Sequence, residues 1–401
     1  MKPIKKILVL GAMSMHIPLI KRAKERGLYV LTCDYIKENE GHRYADEVHY
    51  DSTTDFAAVL SVAKNADIDA IVTFNSDPAA LTVAYIAGQL GLPGNNYECI
   101  KIMSEKDLLR KFLLDNKFNV PKFKTYTAWN DFENDFDYFN LPVLIKPVDS
   151  SGSKGISIVS KKEEIKTAFS NAYKFSRSKR IIIEEYIELF GNQIHGDAFV
   201  VDGEIKFTYL GDHHFNESIN NLVPYSTTFP SQHSEEEINM VKDEVQRFIS
   251  LVGFKQGGIN IEARISKENG KVYLIEVGPR NGGNFTPIII QYATGFNFID
   301  ATLDAALDLE YKEQQIIKEN GYFAYLVLHT DRDGIFKSIS ISPKIGKLII
   351  EKHIYLKEGD IVHSFHGANA AIGVLLVKFS SLVEMNEIVE HFMDYYNIIL
   401  V

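Results

Sequence analysis

Cysteine is almost missing from this chain. Cys33 and Cys99 are the only two among 401 residues, and no C-x-x-C pair occurs. That excludes a cysteine-ligated metal site and fits a reducing, cytoplasmic setting. A basic excess is also missing. The formal net charge of −10 excludes broad binding to a phosphate backbone, so nucleic acid is not an expected partner. It leaves room for a small anionic ligand held by a few local Lys and Arg. No run reaches the roughly 18 uninterrupted apolar residues of a membrane span. The start, "MKPIKKILVLGAMSMHIPLI", is basic and then apolar, but Gly11, Ser14 and His16 break the run and no small-residue cleavage site follows, so no secretory leader is expected. Internal repeats and low-complexity segments are absent. With 45% hydrophobic and 24% charged residues, the chain reads as an ordinary soluble protein of two to four domains or lobes.

Apolar runs alternate with helical patterns over the first hundred residues. "KKILVLG", "LYVLTCD" and "IDAIVTF" read as buried strands, and "HIPLIKRAKERG", "DFAAVLSVAKNAD" and "DPAALTVAYIAGQLG" as helices. That alternation predicts a parallel, Rossmann-like sheet. Asp77 is expected to cap the third helix, with Pro78 at its first position. The first turn, "GAMSMH", has one glycine where a dinucleotide fingerprint needs three. Asp34 ends the second strand and could hold a ribose or serve its own loop. Asn75, Ser76 and Asp77 fall at the carboxyl edge of the sheet, where open α/β sheets take ligands. "MSEKDLLRKFLLDNKFNVPKF" reads as one helix and turn, and "SEEEINMVKDEVQRFISLVG" as another helix. Asp202-Gly203 and Asn269-Gly270 read as hairpin turns, and "LVEMNEIVEHFMDYYN" as a closing helix.

One segment, "KPVDSSGSKGI" (146–156), has the residues of a phosphate loop in an order no Walker loop allows. It lies between two strands, so no helix dipole is on hand, but consecutive backbone N–H groups in a Gly-rich turn can cradle an anion. Gly152 and Gly155 would supply positive φ; Ser150, Ser151 and Ser153 add hydroxyls, and Lys154 a charge. Lys146 stands alone in the apolar "LPVLIKPV". It either reaches out at the strand end or faces a nucleotide's phosphates. Lys106 in "SEKDLLR" is either a second such lysine or a surface helix residue. "INIEAR" and "YLIEVGPR" place Glu262 and Glu276 each between apolar residues. If the Asn269-Gly270 turn pairs these strands, the carboxylates face one another, which suits a cation between them; Mg²⁺ takes such carboxylates together with substrate phosphates. Arg280 follows in "GPRNGGN", a guanidinium able to grip phosphate or carboxylate, or a surface arginine. "IIIEEYIE" could offer backbone groups to an adenine edge, with Glu184 or Glu188 toward the amino group or ribose. His213 and His214 in "GDHHF" are acceptor-pocket candidates or ordinary loop histidines, with no third metal ligand at zinc-like spacing.

In their order and spacing these segments resemble the ATP-grasp superfamily, in the branch of biotin carboxylase and the carbamoyl-phosphate synthetase large chain. The resemblance covers nearly the whole chain. It implies a mixed α/β and α+β fold: a Rossmann-like unit (1–100), an ATP-grasp lobe with a Gly-rich lid (101–187), a lobe with the metal site (188–315) and a small C-terminal α+β lobe (316–401). It implies ATP and Mg²⁺ (or Mn²⁺) as cofactors. Lys106 and Lys146 match the phosphate-contacting lysines, Lys146 also serving catalysis. Ser151, Gly152, Ser153 and Gly155 match the lid. Glu184, Glu185, Tyr186 and Ile187 match the adenine hinge through the backbone of Tyr186 and Ile187, with Glu188 beside it. Glu262 and Glu276 match the metal ligands, and Arg280 the catalytic arginine.

The implied activity is an ADP-forming carboxylate–amine (or carboxylate–thiol) ligase working through an acyl phosphate. The alternatives are a bicarbonate-using carboxylase acting through carboxyphosphate, or a nucleotide-binding sensor with a decayed site. Small carboxylates and amines are the implied partners, and a homodimer the implied assembly. His16, Asp77 and the "HGANA" loop at His366 are acceptor-side candidates. The family's metal segment carries asparagine where this chain has Gly278, so water, Asn281 or Asn260 is expected to substitute. Glu188, Gln193 and Asp197 are the candidates for holding the ribose.

Overall fold

The computed structural model describes residues 4–216, 218–317 and 321–401. The N-terminal strands Lys6–Leu10, Tyr29–Cys33, Glu47–His49 and Ala70–Val72 form one parallel sheet, with Lys6–Leu10 between Tyr29–Cys33 and Ala70–Val72. Helices Ile17–Glu25 and Phe56–Ala66 lie between them in the chain, and Asp77–Leu90 follows the last. This is the alternation read from the sequence; the short strand Glu47–His49 had no pattern of its own. Asp55 caps the second helix by accepting from Ala57 and Ala58. Asp77 does not cap the third. It lies inside the helix, Ser76 precedes it without a side-chain bond, and the Asp77 carboxylate is held by Arg280 instead. A charged partner outcompetes the capping bond.

The "MSEKDLLRKFLL" pattern is two helices, Tyr97–Ser104 and Lys106–Asp115, meeting at an extended Glu105. A four-stranded antiparallel sheet follows, ordered Phe123–Tyr126, Ile181–Glu185, Val143–Pro147, Ser157–Val159. The loop 148–156 is therefore the tip of a hairpin, as its flanking strands predict.

The largest sheet has eight strands, in the order Val272–Gly278, Gly257–Ile265, Gln193–Val201, Glu204–Asn216, Asn220–Phe229, Tyr322–Leu328, Gly373–Phe379, Ile349–Ile354. Strands on both sides of residue 316 belong to it, so the last segment is joined to the preceding lobe by backbone hydrogen bonds. The chain closes on the strand Tyr396–Leu400 rather than on a helix; the final helix stops at Glu390.

Two of the central strands explain why the site forms where it does. "INIEARI" and "QIHGDA" both alternate. Ile259, Ile261, Ala263, Ile194 and Ala198 are fully buried in one core, against the helix Glu235–Val252, which a Ser234/Glu237 capping box starts. The period-2 pleat then puts Asn260, Glu262, Arg264, Gln193, His195 and Asp197 together on the other face. A polar row in the middle of a sheet is costly unless it has partners or ligands.

Candidate active site

That polar face is the floor of a cleft whose walls are the hairpin tip, the strand Ile181–Glu185 and the helix Lys106–Asp115. Glu262 and Glu276 stand directly opposite one another in the ladder, both partly buried. Burial raises the Glu276 carboxyl above its ordinary value; Lys106 and Arg280 pull it down, while Glu262 and Asp77 push it up. Two carboxylates so placed fit a divalent cation, which would relieve the repulsion and take oxygen donors from both. Lys106 reaches Glu276 at 3.8 Å and donates to the Ser150 carbonyl at 2.8 Å. Arg280 forms a two-pronged pair with Asp77, Nε to Oδ1 at 2.7 Å and Nη2 to Oδ2 at 2.8 Å, and stands 3.8 Å from Glu276.

Lys146 neither reaches into solvent nor stands unpartnered. Its ammonium donates to Glu184 at 2.5 Å, and Arg110 approaches the other oxygen of Glu184 at 2.7 Å. All three are buried and line the cleft. Burial lowers the Lys146 pKa, Glu184 raises it and Arg110 lowers it further. Burial pushes the Glu184 carboxyl up, but the two cations outweigh it and hold it at about 2. Glu184 is thus an internal counter-ion, and its carboxylate is not available to an adenine. Arg110 was not a candidate from sequence, where it reads as one more charge on an amphipathic helix.

The hairpin tip lies over the cleft. Ser150, Ser151, Gly152 and Ser153 line it, whereas the exposed Lys154 does not. The Ser153 hydroxyl donates to the Leu222 carbonyl at 2.7 Å, and the Ala368 amide, from the "HGANA" loop, to the Gly152 carbonyl at 3.4 Å. Gly155 is buried at φ +75°, and a Cβ there would meet Phe175 at 2.9 Å. Gly155→Ala is expected to destabilise the hairpin by about 1–2 kcal/mol, read as faster proteolytic nicking within 150–156 with the rest of the chain intact. Unchanged nicking would remove the conformational requirement.

The remaining candidates separate. Glu185 accepts from the Asn140 backbone and side chain at 2.8 and 3.1 Å. Ile187 lines the cleft, and its carbonyl accepts from Arg264 at 3.2 Å. The Tyr186 amide is donated to Pro142 at 3.0 Å, so that N–H is not open to a ligand, and Arg264 lies over the Tyr186 ring. Glu188 is exposed beside Lys267 and outside the cleft lining. Gln193 joins Arg264 to Glu262. Asp197 is fully buried and accepts the Gly282 amide at 2.9 Å; burial pushes it up to about 6, against the pull of Gly282 and Asn260. It secures the loop after Glu276 and does not line the cleft.

Asn281 is buried away from the cleft, on the Phe74 carbonyl, while Asn260 lines it. At Gly278 a Cβ would lie 3.4 Å from Asp77 and 3.5 Å from Arg280. Both are ordinary contact distances, so Gly278 packs against the Asp77–Arg280 pair without requiring glycine. His16 is buried under Gly11, and burial lowers its pKa to about 4 against Asp34. It does not line the cleft, nor does the exposed His366, although Ala368 of the same loop does. Asp34 accepts from Ala12 and Ile36, ordinary turn duty. His213 lines the cleft and His214 does not. Burial lowers the two to about 3 and about 4. His195, beside His213, is a cleft residue that sequence reasoning missed; the alternation of "QIHGD" was its signal.

Residues 139–288 match the family model described as the ATP-grasp domain. Over 272 residues, 67% of this chain, the sequence is 27% identical to the carbamoyl phosphate synthase large chain of Thermoanaerobacter pseudethanolicus, of which the match spans only 24%. Among solved structures, the L-amino acid ligase of Bacillus licheniformis superposes with a TM-score of 0.83 at 20% identity, and the phosphoribosylglycinamide synthetase of Anaerococcus prevotii with 0.77 at 24%, each over the whole of both chains. Those likenesses establish the fold. No helix among the described residues is long and apolar enough to cross a membrane.

Proposed function

From the premise that this chain carries an ATP-grasp domain, we propose that it is an ADP-forming carboxylate–amine ligase acting on small molecules. The observation that carries the reading is the convergence of opposed Glu262 and Glu276, Lys106, Lys146 and Arg280 on one cleft. In this reading Lys106 and Lys146 hold the nucleotide phosphates, and the tip 150–155 covers them. The hinge presents Ile187 rather than the Tyr186 amide to the base. Glu262 and Glu276 would hold Mg²⁺, which supplies charge neutralisation for the phosphates when bound. A carboxylate oxygen of the substrate attacks the γ-phosphorus, the bond to the β-bridging oxygen breaks and ADP leaves. An amine nitrogen then attacks the acyl carbon, phosphate departs and the amine gives up its proton. Arg280, fixed by Asp77, is placed to stabilise the charge on the acyl phosphate. A decayed sensor would be expected to have lost a metal carboxylate or Lys146, and all three are in place. A cytoplasmic protein is part of the same reading, with both cysteines buried and free.

The test is ADP release from Mg²⁺ and ATP, measured with pooled amino acids and small carboxylates, and separately with bicarbonate alone. At least about tenfold stimulation by the first set, not by bicarbonate, is expected. Stimulation by bicarbonate alone would move the protein to the carboxylases. No stimulation by either would end the ligase reading.

A further inference from the structure

Three strands set Glu276, Glu262 and His195 in one cross-strand row, and the next position in that row is Gly211. Directly paired residues share a face. His213 follows Gly211 by two residues on the same face, and its ring stacks on His195 with centroids 4.0 Å apart. Both imidazoles are buried and both line the cleft. Neither ring nitrogen of His195 has a hydrogen-bond partner. His213 Nδ1 is hydrogen-bonded to the Thr227 hydroxyl at 2.6 Å, and its Nε2 lies 3.9 Å from Glu262 Oε1. Gln193 donates to the other Glu262 oxygen at 3.0 Å. One nitrogen from each ring and one Glu262 oxygen lie within 4.8 Å of one another.

We propose that His195, His213 and Glu262 form a site for a divalent transition-metal ion of the Zn²⁺ class, held without nucleotide. Two imidazole nitrogens and one carboxylate oxygen are a donor set that suits Zn²⁺ and its neighbours; Mg²⁺ prefers oxygen throughout. The Thr227 bond fixes which nitrogen of His213 is left for the ion, the usual task of an outer partner. Three protein donors leave a coordination position toward the cleft, the arrangement of sites that take an anionic oxygen from a ligand. The site shares Glu262 with the carboxylate pair but lies on the other side of it from Glu276, and it does not depend on the ligase reading.

The full chain, stripped with a chelator and free of nucleotide, is titrated with Co²⁺ and then with Zn²⁺. A visible band saturating at one Co²⁺ per chain and bleached by one Zn²⁺ is expected. Affinity should fall at least about tenfold in His195→Ala and stay unchanged in His214→Ala, whose ring does not line the cleft. No saturable band, or an unchanged affinity in His195→Ala, overturns the site. Should that variant not fold, anomalous diffraction at the zinc edge from soaked wild-type crystals decides: a peak between the two rings supports the site, and its absence removes it. Cobalt binding without acceptor-stimulated ADP release keeps the site and ends the ligase reading; the converse result does the opposite.

Discussion

Glu184→Gln is expected to lower folding stability by about 3–5 kcal/mol, the cost of breaking a buried ion pair from one side. Glu184 is 2% exposed and lies between Arg110 and Lys146, themselves 2% and 6% exposed. The substitution leaves two buried cations sharing a neutral amide. Arg110 also donates to the Leu274 and Ile275 carbonyls at 3.1 and 3.0 Å, so the triad links the four-stranded sheet to the strand that carries Glu276. Loosening it would disturb the joint between the lobes as well as the local core. The loss has a pH signature. Glu184 is held at about 2, below its ordinary 4.5, so its contribution is full above pH 4.5 and fades as the pH falls toward about 2. The gap between wild type and variant in thermal unfolding should be widest near neutrality and close in acid. The double variant Glu184→Gln/Lys146→Met removes one of the stranded charges and should recover a large part of the loss. A single variant within about 0.5 kcal/mol of wild type would mean that the triad is not a structural element.

Glu276→Gln should behave in the opposite way. Turnover is expected to fall at least about 10³-fold, roughly 4 kcal/mol of barrier, with no loss of stability. Glu276 stands opposite another carboxylate, and burial already disfavours its charge. Neutralising it removes repulsion from the metal-free fold. On the proposed reading, what is lost is one oxygen donor for the cation that would neutralise the nucleotide phosphates. The measurements are steady-state ADP release over a range of Mg²⁺ concentrations, and a thermal melt without Mg²⁺. Full activity would remove Glu276 from the metal site. A large drop in melting temperature alongside lost activity would make it a structural residue. The two variants therefore separate scaffold from chemistry: one is expected to fail in the melt, the other in the assay.

Local chemistry was legible in the sequence. The alternation of "INIEAR" put Asn260, Glu262 and Arg264 on one face, and the Asn269-Gly270 turn made the two strands neighbours; a one-residue register shift between Glu262 and Ala263, which the sequence does not show, then brought Glu276 rather than Ile275 opposite Glu262. The hairpin at 146–159 was legible from its two flanking strands, and the parallel N-terminal sheet from its alternation of strand and helix patterns. What the tertiary structure alone decided are the partners brought from afar. Arg280 is held by Asp77, 203 residues away in sequence, which turned an expected helix cap into a guanidinium clamp. Arg110, on the helix Lys106–Asp115, meets Glu184 on the strand Ile181–Glu185, which turned an expected adenine contact into a buried counter-ion. His195 comes beside Glu262 only because the strand Gln193–Val201 lies between Gly257–Ile265 and Glu204–Asn216. Periodicity records which face a residue takes. It does not record which strand becomes its neighbour, since that is settled by the packing of whole sheets, and the electrostatics of this site depend on those neighbours.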